Sequence, residues 1–120
     1  MHELSVAQSI VEIIRQHVPE PDWDRVIVVR LKIGAVAGIV PESLEFSFQA
    51  ITAESLLSHA RLEIEFVPFR IHCNTCDTKT ENEDGFALCG KCGSTDTKML
   101  SGSELNISEI EIAEPEVEML

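Results

Sequence analysis

The sequence predicts an α+β fold, two helices on a three-stranded sheet, with a cysteine-rich segment inserted before the last strand. Three observations carry this. Two helix-period and three strand-period apolar patterns occupy the flanks of the chain. All four cysteines fall together between the second and third strands. A composition of 44% hydrophobic and 25% charged residues over 120 positions is that of a globular chain with an ordinary core.

The elements follow in order. Leu4, Ala7, Val11, Ile14 and Val18 step by three or four, and Val6, Ile10 and Ile13 widen the face, so residues 4–17 are expected to be helical. Pro19 and Pro21 end that helix, since proline removes a donor and biases its predecessor away from α. Residues 25–33 are rich in β-branched side chains and alternate from Val29 to Ile33, the pattern of a strand with one wet face. Pro41 suits the first position of a helix over residues 42–51, with Leu44, Phe48 and Ile51 as its stripe and Phe46 beside it. A second strand is expected over 61–69, where Leu62, Ile64 and Phe66 alternate with Glu63 and Glu65, and a third over 105–112. The domains expected are residues 1–69 plus 99–113, an inserted segment 70–98, and a flexible acidic tail 114–120.

Charge narrows the function. Nine Lys+Arg against 21 Asp+Glu leave a formal −12, and from Ser101 onward there are six glutamates and no base. Nucleic-acid affinity is mainly cationic neutralisation of phosphate, so no nucleic acid is expected as a partner, and an anionic membrane surface would repel the chain. No apolar run of 18 residues occurs, so no spanning helix is expected. The start, Met1-His2-Glu3, lacks the basic head of a secretory leader, which makes a cytoplasmic location the expectation. No nucleophile–base pair stands out, and Gly34 and Gly38 lack the Lys-Ser/Thr of a phosphate loop, so no catalytic residues and no enzyme activity are expected.

The cysteines form two pairs, Cys73-x-x-Cys76 and Cys89-x-x-Cys92, separated by twelve residues. Two intervening residues let a tight turn aim both sulfurs at one point, and two such knuckles supply four tetrahedral corners for zinc. Gly90 and Gly93 suit the second turn. Dithiol redox use, disulfides and an iron–sulfur cluster are the rival readings; the spacing is that of a zinc ribbon. A closed zinc site of four thiolates is structural, because no position stays open for a substrate. His72 is expected beside that site or at the surface rather than as a ligand.

The amino terminus carries separate chemistry. A free Met1 amine, the deprotonated His2 backbone nitrogen and the His2 imidazole close fused five- and six-membered chelate rings, and the Glu3 backbone nitrogen can complete a plane. Strong in-plane nitrogen donors select Cu(II) or Ni(II) over zinc. His17, which suits a helix C-terminus, and His59 have no companion at ligand spacing.

Met1-His2-Glu3-Leu4-Ser5, Gly34, Pro41-Glu42-Ser43-Leu44, Leu62-Glu63-Ile64 and the two cysteine pairs together resemble the HypA/HybF family of hydrogenase maturation nickel metallochaperones. The resemblance covers essentially the whole chain. It implies a nickel-binding α+β domain with an inserted zinc domain. It implies Ni(II) as transferred cargo on His2, with Met1 and Glu3 supplying backbone nitrogen, and structural Zn(II) on Cys73, Cys76, Cys89 and Cys92. Its implied partners are the maturation GTPase HypB and the [NiFe]-hydrogenase large-subunit precursor, with urease maturation proteins for some members. The alternative is a zinc-ribbon structural adaptor without a nickel role.

Overall fold

The computed structural model describes residues 3–114. The order is α1 (Glu3–His17), a 3-10 helix (Glu20–Arg25), β1 (Val26–Gly34), α2 (Pro41–Thr52), β2 (Arg61–Val67), β3 (Phe69–Cys73), β4 (Lys79–Asn82), β5 (Thr97–Ser101) and β6 (Leu105–Ile112). Two three-stranded sheets form, ordered β2-β1-β6 and β4-β3-β5. Among the described residues no helix is long and apolar enough to cross a membrane. The tail beyond residue 114 lies outside the described residues.

The chain divides into two compact units. The first takes the segments up to Leu31, Ile39–Ile64, and from Ile107 onward. Its core is Ile10 and Ile14 of α1, Val26, Val29 and Leu31 of β1, and Leu44 and Phe48 of α2, all nearly inaccessible to water. The buried faces differ from the expected stripes. On α1 they are Val6, Ala7, Ile10 and Ile14, while Leu4 and Ile13 stay exposed. On α2 they are Leu44, Phe48 and Thr52 at i, i+4 and i+8, which leaves Ile51 partly wet and Phe46 exposed. Thr52 joins the apolar face because its hydroxyl donates to the Phe48 carbonyl at 2.8 Å, so no polar atom is left unpaired. Trp23 of the 3-10 helix, an element the proline reading did not foresee, donates its indole N–H to the Val18 carbonyl at 2.8 Å. On the sheet, Arg30 reaches Glu63 at 3.2 Å and Glu109 at 3.0 Å.

The second unit is Lys32–Gly38 with Glu65–Asn106. It takes in more chain than the cysteine segment 70–98, because β3 and β5 extend past its ends and the Gly34–Val36 backbone bonds to Val67, Gly102 and Glu104. The strand expected over 61–69 ends at Val67, for Pro68 has no N–H to give a ladder. The chain resumes as β3, which pairs antiparallel with β4 and with β5, placing Ile71 opposite Thr80 and Met99. β3, β4 and β5 were not expected as separate strands. Few apolar groups are buried in this unit: Ile33, Phe69 and Ile71, plus Cys73 and Cys89. A close backbone crossing holds its base. A Cβ on Gly34 would stand 1.9 Å from the Gly102 carbonyl oxygen, so only glycine fits. The Gly34 N–H donates to the Glu104 carbonyl at 2.7 Å, and the Val36 N–H to the Gly102 carbonyl at 2.8 Å.

Candidate metal centre

The two cysteine pairs fold into matching turns. In the first, the Asp77 N–H donates to the Cys73 carbonyl at 2.9 Å and the Cys73 N–H to the Thr78 carbonyl at 2.9 Å. In the second, Gly93 donates to Cys89 and Cys89 to Ser94, each at 2.9 Å. Each turn puts the residue after its second cysteine in the left-handed region, Asp77 at φ 56° and Gly93 at φ 77°. Glycine adopts that conformation without cost and aspartate more readily than most side chains. Gly90, by contrast, has no positive φ, and a Cβ there would meet only Thr80 at an ordinary 3.8 Å.

Backbone amides turn inward to the sulfurs. The Cys76 N–H donates to Cys73 Sγ at 3.5 Å, and the Lys91 and Cys92 N–H groups both donate to Cys89 Sγ at 3.4 Å. Those amide bonds from Cys92 and Lys91 hold the Cys89 thiol down at about 6, so it is mostly thiolate at neutral pH. The Cys76 amide likewise lowers Cys73. Cys92 is pulled down by the Ser94 backbone, but loss of solvent and the three neighbouring sulfurs outweigh this and push it up to about 12. Four sulfurs held together cannot all ionise without a cation among them.

The four Sγ atoms lie within 4.8 Å of one another, with Cys73–Cys92 and Cys76–Cys89 each at 3.6 Å. A tetrahedron with Zn–S bonds of about 2.3 Å has sulfur–sulfur edges of ~3.8 Å, so a zinc ion fits with little movement. The cysteines are free thiols and no disulfide joins them. Cys73 and Cys89 are buried, Cys76 is half-buried and Cys92 is exposed. The turns are tied across the site as well: Thr75 Oγ1 meets Ser94 Oγ at 2.8 Å, and Asn74 Nδ2 donates to Asp96 Oδ1 at 3.1 Å.

All four cysteines named from the sequence therefore come together. Met1 and His2, the other named ligands, lie outside the described residues, while Glu3 opens α1. His72 Nε2 sits 2.6 Å from Asp77 Oδ1 and is not part of the sulfur grouping. Asp77 is the residue that reasoning from sequence passed over. Its signal was available: each Cys-x-x-Cys is followed at once by a residue that tolerates positive φ, aspartate in one turn and glycine in the other.

The profile of the family described as "Hydrogenase/urease nickel incorporation, metallochaperone, hypA" matches residues 1–112. The chain belongs to this family. The hydrogenase maturation factor HypA of Geobacter metallireducens is 40% identical over 112 residues, spanning 93% of this chain and 99% of that protein. The HypA of Roseiflexus is 38% identical over 112 residues, spanning 92% and 91%. Among solved structures, the solution structure of the Ni metallochaperone HypA from Helicobacter pylori aligns with a TM-score of 0.62 at 24% identity, covering 93% of this chain and 97% of that one. At that identity the likeness establishes the fold: a HypA-type α+β chain with a four-cysteine unit. Membership also settles the general role, participation in nickel-dependent hydrogenase maturation.

Proposed function

We propose that the chain carries Ni(II) at its amino terminus and releases it into the maturation of a [NiFe]-hydrogenase. The observation that carries this reading is the family match over residues 1–112, which spans both the terminal Met1-His2-Glu3 and the four cysteines. Nickel is the cargo. The His2 imidazole and backbone nitrogen, the Met1 amine and the Glu3 backbone nitrogen hold it as a planar nitrogen set, which suits Ni(II). Such a terminal chelate opens when its amine is protonated or when a better ligand set is offered, so it can release what it binds.

Zinc occupies the four-sulfur centre on Cys73, Cys76, Cys89 and Cys92 and serves structure alone, since a closed tetrahedral site leaves no place for a substrate. The nickel-binding domain is residues 1–69 with 99–113, and the zinc domain is the inserted 70–98. On this reading the chain is not an enzyme. Directional transfer draws on the GTPase HypB, and the recipient is the hydrogenase large-subunit precursor in the cytoplasm, with urease maturation proteins as further partners.

The test compares three proteins by nickel calorimetry and visible absorption: the native start, a one-residue N-terminal extension, and His2→Ala. Only the native start should show the weak d–d band of a planar site. The other two should lose at least tenfold in affinity, about 1.4 kcal/mol. If all three bind nickel with one affinity and one spectrum, the site lies elsewhere. If none binds, the structural-adaptor reading takes over.

A further inference from the structure

The four sulfurs of the second unit are chemically alike but unequally sheltered. Cys73 and Cys89 are buried and Cys76 is half-buried, whereas Cys92 is exposed. Backbone amides divide them further. Cys89 Sγ accepts from Lys91 and Cys92 at 3.4 Å each, and Cys73 Sγ from Cys76 at 3.5 Å. A sulfur tied by amide hydrogen bonds must loosen them before its lone pair can form a new bond, so Cys89 is held more firmly than Cys73. An oxidant arriving from solution meets Cys92 first.

Cys92 also has a partner within reach. Its Sγ stands 3.6 Å from Cys73 Sγ, and Cys76 Sγ stands 3.6 Å from Cys89 Sγ, so each contact joins one turn to the other. The bond between Thr75 Oγ1 and Ser94 Oγ, 2.8 Å long, holds the two turns face to face. A disulfide is about 2.05 Å long, so the Cys73 and Cys92 sulfurs need close by only about 1.5 Å. An exposed thiolate with a second, sheltered thiolate beside it is the arrangement that oxidant-sensing cysteines use: the first is attacked and the second resolves it.

We propose that Cys92 is the site at which hydroperoxides modify this chain, and that Cys73 resolves the product as a Cys73–Cys92 disulfide, which expels the zinc of the reading above. The Cys92 sulfur gives an electron pair to one oxygen of the hydroperoxide. The O–O bond breaks, the leaving oxygen takes a proton from water, and Cys92 becomes a sulfenic acid. The Cys73 thiolate then attacks that sulfur; the S–O bond breaks, and the departing hydroxide is protonated. Two sulfurs have lost two electrons, and hydrogen peroxide has become two molecules of water. The remaining Cys76–Cys89 pair cannot close a tetrahedron, so zinc departs. One disulfide stabilises less than structural zinc, so the second unit opens. The first unit holds no cysteine, and its fold is left alone. Peroxide thus switches off the second unit while the nickel terminus keeps its metal.

The experiment uses the unaltered chain, since any cysteine variant also removes a zinc ligand. The zinc-loaded protein, freed of reductant, receives hydrogen peroxide in increments. Dimedone traps sulfenic acid, alkylation caps the free thiols, and peptide mass spectrometry locates both. A chromogenic chelator reads zinc release, and amide exchange reads the two units. Dimedone should label Cys92 severalfold above any other cysteine. Without it, Cys73–Cys92 should be the first disulfide, with one zinc released for each. Amides of β3, β4 and β5 should lose protection while those of α1 and α2 keep theirs, and nickel affinity should be unchanged. A dithiol reductant with added zinc should restore the starting protein. The proposal is overturned if the first adduct falls on Cys73, Cys76 or Cys89. A first disulfide within one turn, or between Cys76 and Cys89, overturns it too, as does zinc that stays bound after Cys73 and Cys92 have joined. A chain that purifies without zinc would count against the zinc reading instead, and the order in which its sulfurs react would still decide the roles of Cys92 and Cys73.

Discussion

Gly93 and Gly90 sit three residues apart in the same turn, and only one of them has to be glycine. Gly93 lies at φ 77°, where a Cβ approaches the following carbonyl and costs about 1–2 kcal/mol. Gly90 has no such constraint and open room toward Thr80. Gly93→Ala should therefore destabilise the zinc-loaded second unit by ~1–2 kcal/mol, seen as faster zinc loss to a chelator and a lower melting temperature. Gly90→Ala should change either by less than about 0.5 kcal/mol. Equal effects from the two would mean that the turn is held by something other than backbone conformation. Asp77 occupies the matching left-handed position and places its carboxylate against His72.

At the scale of elements, the most demanding contact is backbone on backbone. β1 ends at Gly34, the Gly102 loop crosses it, and a Cβ would meet the Gly102 carbonyl carbon at 2.1 Å and the Ser103 nitrogen at 2.6 Å. Main chain has no rotamer with which to move aside. Gly34→Ala should cost about 3 kcal/mol, at the upper end for overpacking, and lower the denaturant midpoint without a change of slope. Gly38→Ala, at φ 75° with nothing within 4 Å of its Cβ, should cost only ~1 kcal/mol. Similar midpoints for the two variants would show that the crossing yields readily. The strand break at Pro68 and the register shift between Arg70 and Ile71 belong to this scale too. Beyond the break, β3 takes β4 and β5 as its neighbours.

At the scale of the molecule, the two units are stabilised in different ways. The first buries a continuous set of aliphatic and aromatic side chains from α1, β1 and α2. The second buries three apolar residues besides its cysteines, too few to offset the entropy of ordering its chain. On the zinc reading proposed above, metal binding, of order 10–16 kcal/mol for structural zinc, supplies the difference. Cys76→Ser should therefore lose stoichiometric zinc and the amide-exchange protection of β3, β4 and β5, while α1 and α2 keep theirs. A mutant that loses zinc yet keeps protected β3–β5 amides would show that the second unit has a sufficient core of its own.

What could be read without coordinates was whatever depends on neighbours in the chain. Helix periodicity and the flanking prolines located α1 and α2 to within a residue or two of Glu3–His17 and Pro41–Thr52. The Cys-x-x-Cys spacings identified the four sulfurs that meet, since a two-residue turn converges on one point wherever it is placed. The inward faces were a different matter. Leu4, Ile13 and Phe46 are as apolar as Ile10 and Phe48, and hydrophobicity alone cannot say which side of a helix meets its partner; packing of α1 and α2 with the β1 core chose Thr52 over Phe46. Nor could the sequence show that β3 pairs across to β5, or that Gly34 must admit the Gly102 carbonyl, because both depend on residues tens of positions apart meeting in space. Local conformational preference and ligand chemistry are written along the chain, whereas packing and long-range pairing exist only once it has folded.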